Sequence, residues 1–322
     1  MIPTELSGGG ELGEIPHLRL PRPESLFAGR AERFTVLAAG HTLREYLEFL
    51  ACLEGAQAAA CATVRPLVNG GSLARERPLG AASHRRGPEW LEALAVILAE
   101  LSAASALPEE GRTTLDLLHE LPPPELEALA DRVLENAVLG TDLAAGPIVA
   151  AALQVYFTSL AAQLRENAIA PARDGCPVCG SLPVVGLVLG DDRLRYLVCS
   201  LCATQWHHTR VQCTACHSGK GISYFTLERA RAAREGGDAE GEPERSAPAV
   251  TAAASLTRVK AEACPSCKSY TKLFYAESDP RLEPFADDVA TLSLDLLMAE
   301  DGWVRHGVNL FLVPGEERSP VQ

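Results

Sequence analysis

Aromatic side chains are scarce in this 322-residue chain. Phe, Trp and Tyr together make up 5% and Met occurs twice, so a core has to be built mainly from Ala, Leu and Val. Basic charge is also in deficit. Lys and Arg number 29 against 42 Asp and Glu, and the net charge of −13 repels phosphate backbones at long range. Residues 1–16 carry Glu5, Glu11 and Glu14 and no apolar run, unlike a secretory signal. The most apolar later segment, 148–157, is interrupted by Gln154 and falls far short of the roughly 20 residues that cross a bilayer. No P-loop, dinucleotide fingerprint, GxSxG or HExxH occurs. These absences predict a cytoplasmic protein that is not an enzyme, with no membrane insertion and no nucleic-acid partner.

What is present divides the chain in two. Residues 17–34, with Pro21 and Pro23, read as an extended lead-in. Helical patterning starts after His41, where Leu43, Tyr46, Leu47 and Leu50 share a face and Thr42 and Glu45 have capping-box spacing. A loop rich in Gly, Pro and Arg covers roughly 65–88. Helical stripes return after Pro88 (Leu91, Leu94, Leu98, Leu101), after Pro124 (Leu126, Leu129, Val133) and over 147–167. The expectation is an all-α domain of about five helices over 1–170. At Pro171 the stripes give way to short β-branched runs, turns and cysteine pairs. Two small β-rich modules, 171–212 and 213–280, should follow, then a C-terminal helix and docking tail in 281–322. The fold class is therefore α+β and multidomain. Residues 229–250, without an apolar period, predict a mobile insertion in the second module.

Eight of the ten cysteines fall into four identical spacings: Cys176–Cys179, Cys199–Cys202, Cys213–Cys216 and Cys264–Cys267. A CxxC turn aims two thiolates at one ion about 2.3 Å away, and its amides can donate to the sulfurs. Gly180 permits the positive φ with which the chain leaves the first turn. A reducing compartment favours metal ligation over disulfides. Strands over 182–189 and 194–198, joined at 190–192, would carry the second pair back to the first. A similar hairpin from 222–227 to 256–260 would unite the third and fourth. Two metal ions, iron or zinc, would then sit on Cys176, Cys179, Cys199 and Cys202, and on Cys213, Cys216, Cys264 and Cys267. A cross-braced pairing of first with third and second with fourth stays open, as do a zinc-ribbon module binding nucleic acid and a redox-active CxxC dithiol.

Other features have plainer readings. Trp206-His207-His208 fits strand packing or partner contact better than ligation, and Arg193, Arg195 and Arg210 either offset the charge of a thiolate site or face solvent. Cys52 and Cys61, nine apart on a helix, read as buried thiols. Asp287 and Asp288 read as solvent-facing residues of a helix start.

The stretches 176–184, 195–202, 205–207 and 210–216, with 263–272, 287–292 and 309–316, resemble the formate dehydrogenase accessory protein family, FdhE. Leu26-Phe27, Arg30, Arg33, the run 37–41 and Gln57 are similar too. The resemblance implies a cytoplasmic protein-maturation factor, chaperone-like, that contacts the catalytic subunit of formate dehydrogenase. It also implies rubredoxin-like metal modules, with the eight cysteines as ligands. Trp206, His207 and Arg210 are the candidate partner contacts.

Overall fold

Proline marks helix starts throughout this chain, because its fixed φ and missing N–H suit a first turn. It stands in the first turn of α1 (Pro23–Ala38), α5 (Pro123–Leu134), α6 (Gly146–Ala161) and α7 (Pro284–Ala290). The remaining helices are α2 (Arg44–Thr63), α3 (Glu89–Ala103), α4 (Glu109–Glu120) and α8 (Leu292–Glu300). The computed structural model describes residues 15–67, 76–104, 107, 109–138, 140–190, 192–227 and 259–312. The expected insertion at 229–250 lies outside the described residues.

The first correction concerns 17–34, where an extended lead-in was expected. Pro23 instead opens a helix of 16 residues. Its buried stripe is Phe27, Arg30, Arg33, Phe34 and Leu37, and the two arginines hid the apolar period from the sequence. α4 is a further helix that the sequence pattern does not announce, and the expected capping box does not form. No side chain caps α2, and the Leu43 amide donates to His41 Nδ1 at 2.9 Å.

α1 packs along α2, and α2, α3 and α5 all pack on α6. Nearly every residue of α6 is buried, which is how a helix apolar on all sides is satisfied in a globular core. The buried Gln154 on it is bonded at both ends: Gln57 Nε2 donates to Gln154 Oε1 at 3.1 Å, and Gln154 Nε2 donates to the Ser200 carbonyl at 2.8 Å. Among the described residues, no helix is long and apolar enough to cross a membrane.

The second half contributes β2 (Pro183–Leu189), β3 (Leu194–Cys199), β4 (Gln205–His207), β5 (Ser223–Phe225), β6 (Val259–Cys264) and β7 (Ser269–Tyr275). Two short strands, β1 (Leu18–Arg19) and β8 (Val304–Arg305), complete one sheet with the order β1-β4-β3-β2-β7-β6-β5, β8 pairing with β7. The layout repeats. Each unit runs cysteine turn, strand, strand, cysteine turn, strand, and the units join edge to edge where β2 lies parallel to β7. Close approach at this seam needs a small residue, since a Cβ on Gly186 would lie 2.4 Å from Leu273 Cδ2. Arg195 ties the units together as well. It is buried on β3, in ion pair with buried Glu262 of β6 at 2.7 Å, and donates to Thr214 Oγ1 at 2.8 Å.

The C-terminal helices dock back onto the first half through buried charge. Arg33 grips Asp287 through two nitrogens and pairs with Asp279 at 3.1 Å, and Arg30 reaches Glu283 at 3.1 Å. Asp287 and Asp288 are therefore not solvent-facing. Both are buried, Asp288 beside Lys272 and Arg305 at 2.8 and 2.7 Å. The expected single helix around Phe285 and Leu296 is two helices meeting at Thr291. The tail docks as expected as far as it is described: Phe311 is buried against Phe285, and Tyr46 donates to its carbonyl.

Glu54 is fully buried on α2, with Arg30 Nη1 3.8 Å away. Burial pushes its carboxyl up to about 8 despite that guanidinium, and Glu283 adds to the rise. The unfolded chain titrates near 4.3, so the folded state holds the proton more tightly. Stability is accordingly greatest below that value, declines as pH rises through about 8, and is level above it, with a limiting slope of about 1.4 kcal/mol per pH unit. Glu54→Gln should flatten this decline. Denaturant midpoints at pH 5 and pH 8.5 check it, the variant gaining on the wild type only at the higher pH.

Candidate metal centres

Each cysteine pair sits at a tight turn whose chain must leave in an unusual direction. The residue after the second cysteine has positive φ in all four turns: Gly180 at 83°, Ala203 at 56°, His217 at 60° and Lys268 at 58°. The turn is closed by a backbone bond such as Gly180 N to Cys176 O at 2.8 Å or Lys268 N to Cys264 O at 2.9 Å. Amides then point at sulfur. Val178 N donates to Cys176 Sγ, and Leu201 and Cys202 to Cys199 Sγ, all at 3.4 Å, while Ala215 N does the same for Cys213 Sγ. Only Gly180 among the four left-handed residues advertised this geometry in the sequence.

The strands bring the pairs together in hairpin order. Cys176, Cys179, Cys199 and Cys202 form one cluster and Cys213, Cys216, Cys264 and Cys267 another, with all sulfurs of a cluster within 4.8 Å of one another. The cross-braced pairing is not the one found. Individual separations are 3.6 Å for Cys176–Cys202, 3.4 Å for Cys179–Cys199, and 3.6 Å for both Cys213–Cys267 and Cys216–Cys264. A tetrahedral ion with bonds of about 2.3 Å needs its sulfurs about 3.8 Å apart, so both clusters are of a size to close around one.

The electrostatics agree with that fit. Burial pushes the Cys176 and Cys199 thiols well above the usual range. It acts on Cys179 too, but hydrogen bonds from Cys176, Cys199 and Cys202 hold that thiol well below it. Four sulfurs enclosed this way cannot all be anionic without a cation among them. In the second cluster burial raises Cys264, yet the amides of Cys267 and Ser266 and neighbouring thiols bring it down to about 7.

The surroundings of the two centres differ. The first lies at the junction with the helical half. The amides of Arg77, Leu79 and Ala81 donate to the carbonyls of Pro177, Val178 and Cys179 at 3.1, 2.9 and 2.8 Å, so a segment of the expected loop straps the first turn. Gln154 of α6 holds the second turn through Ser200. All four of its cysteines are buried within the core that runs into α6. The second centre lies at the surface, where Cys216 and Cys267 are exposed.

The remaining candidates separate on inspection. Trp206 is buried on β4, opposite Leu18 of β1, and supports the strand; His207 and Arg210 are exposed. His208 is partly buried and donates through Nε2 to the Gln212 carbonyl at 3.2 Å. Burial and the Arg195 guanidinium pull His208 down to about 4, so it is neutral at neutral pH. Of the three arginines weighed as counter-charges, Arg195 serves the seam, and Arg193 and Arg210 face solvent. Cys61 is buried as expected, and Cys52 is exposed.

Comparison with known proteins places this arrangement. The profile "FdhE, N-terminal" matches residues 15–174, "FdhE, central domain" 175–210 and "FdhE, C-terminal domain" 245–312. The Protein FdhE homolog of Edwardsiella ictaluri is 38% identical over 323 residues, covering 96% of each chain. That of Serratia proteamaculans is 35% identical over 318 residues, covering 94% of this chain and 92% of its own. The crystal structure of the FdhE protein from Pseudomonas aeruginosa superposes with a TM-score of 0.77 at 33% identity, over 94% of this chain and 100% of that one. With three profiles in chain order and relatives alike along almost their whole length, this chain belongs to the FdhE family.

Proposed function

We propose that the chain is a cytoplasmic accessory protein for the maturation of formate dehydrogenase, one that binds the catalytic subunit and is not itself an enzyme. The observation that carries the reading is the pair of four-thiol centres, each of a size to close completely around an ion. A complete thiolate shell keeps no coordination position for a substrate, so it suits a scaffold better than a Lewis acid. Membership of the FdhE family supports the choice of partner.

On this reading the eight clustered cysteines are the ligands of two ions. Zinc would supply only structure, whereas iron would add a one-electron couple. The division into a helical part, two metal units and a C-terminal helical segment is supported by the end of α6 at Ala161 and the first turn at Cys176. His207 and Arg210, exposed at the end of the sheet, are the proposed contacts, while buried Trp206 fixes the strand that carries His207.

Tagged protein should co-purify with the catalytic subunit of formate dehydrogenase, and cells lacking the protein should lose formate oxidation. His207→Ala combined with Arg210→Ala should weaken co-purification by on the order of tenfold, about 1.4 kcal/mol, without altering the fold. Unimpaired formate oxidation in cells without the protein would refute the proposal.

A further inference from the structure

The two centres are alike in chemistry and opposite in access. At the first, the turn residues Pro177, Val178, Ser200 and Leu201 are buried with the cysteines, the first pair bonded to the Arg77–Ala81 strap and Ser200 to Gln154 of α6. At the second, Pro265, Ser266 and Lys268 are exposed along with Cys216 and Cys267, and a single amide of another segment, Val304 N, reaches the fourth turn, donating to the Lys268 carbonyl at 2.9 Å. Cys213 and Cys264 are buried beneath them and hold the inner half of the cluster. One face of the second centre, formed by Cys216 and the partly exposed Cys267 of two different turns, is therefore open to solvent. Lys268, lying over the Trp303 ring at 5.0 Å, and half-buried His217, which donates to Asp174 at 2.8 Å, border it.

Ligand exchange at a four-thiolate site begins when an incoming donor reaches the site and one resident sulfur yields. Size and polarity then decide where this can occur. At the first centre the packed junction must open locally before any donor arrives; at the second no opening is required. Resting on the reading that both clusters hold metal, we infer that the centres divide their roles. The first is a permanent structural site, and the second is an exchange site for soft sulfur donors, a small thiol or a cysteine of a partner. Cys216 or Cys267 gives way to the incoming thiolate. One metal–sulfur bond forms as another breaks, no electron moves, and the displaced thiolate takes a proton from water.

The test uses the full chain loaded with two zinc ions and challenged with excess 4-(2-pyridylazo)resorcinol, a coloured chelator. One ion per chain should leave in a fast phase, the second on the order of 100-fold more slowly, because its release waits for local opening. Reduced glutathione should speed the fast phase in proportion to its concentration. Timed alkylation with iodoacetamide, read by mass spectrometry, should label Cys213, Cys216, Cys264 and Cys267 during that phase while Cys176, Cys179, Cys199 and Cys202 stay protected. Cys216→Ser and Cys267→Ser should each abolish or further accelerate the fast phase and leave the slow one unchanged. Release of both ions in a single phase, or labelling of the first cluster before the second, overturns the division of roles. A chain that binds no zinc on loading overturns the metal reading beneath it.

Discussion

Cys199→Ser should leave a protein that no longer folds stably at 37 °C. Cys199 is buried, its sulfur lies 3.4 Å from Cys179 Sγ, and it receives two amide hydrogen bonds. Binding free energy at structural zinc sites, roughly 10–16 kcal/mol in zinc-finger peptides, is largely folding free energy and comparable to the whole stability of a domain. Serine is a poor ligand and would leave the other three sulfurs enclosed around a weakened site. From the sequence alone, metal loss should disturb the second half and spare the helices. The structure argues otherwise, since the strap at residues 77–81 and Gln154 of α6 both terminate on the first centre's turns. The loss of order is thus expected to reach α6. Hydrogen exchange on the wild type and the variant checks this, with lost protection in 146–161 as the signature. A variant whose α6 stays fully protected would refute the coupling. Cys216→Ser, at the surface, should cost much less.

Lys272→Ala is the second large effect. Lys272 is wholly buried on β7, where its Nζ contacts Asp288 at 2.8 Å and Asp295 at 2.6 Å and donates to the Asp288 carbonyl and Thr291 Oγ1. Burial would raise the carboxyl of Asp288, but Arg305 and Lys272 hold it below the usual range, so it is ionised. Removing the ammonium strands negative charge in the core with Arg305 as its remaining cation, at a cost of about 3–5 kcal/mol. Lys272→Met with Asp295→Asn removes one charge of each sign and should recover part of that loss. Urea midpoints of the three proteins decide the matter; a double variant no better than Lys272→Ala would mean that packing, not charge, sets the cost.

The cysteine centres were legible in advance because the spacing itself encodes a turn and two hairpins fix which turns meet. Strand limits followed closely, 182–189 expected against Pro183–Leu189 found. What stayed hidden was polar and buried. Arg30 and Arg33 make a core-facing helix read as a surface lead-in, because their partners Glu283 and Asp287 lie 253 and 254 residues away; Asp288 reads as solvated because its cations, Lys272 and Arg305, sit on other elements. The fusion of two units into one sheet was equally invisible, since parallel pairing of β2 with β7 leaves no local pattern beyond a small residue at Gly186.

Those distant partners impose an order on synthesis. As the chain emerges from the ribosome, α1 exists long before Glu283 and Asp287 are made, and Tyr46 waits still longer for Phe311. Until then Arg33 has no acid to meet and Arg30 has Glu54 alone, so this face of α1 is not yet sealed from water. The helices of the first half can pack on one another early, but the clasp on α1 and α2 closes only when residues 279–311 arrive. Shortening the chain before residue 279 would leave a product that begins correctly and never finishes.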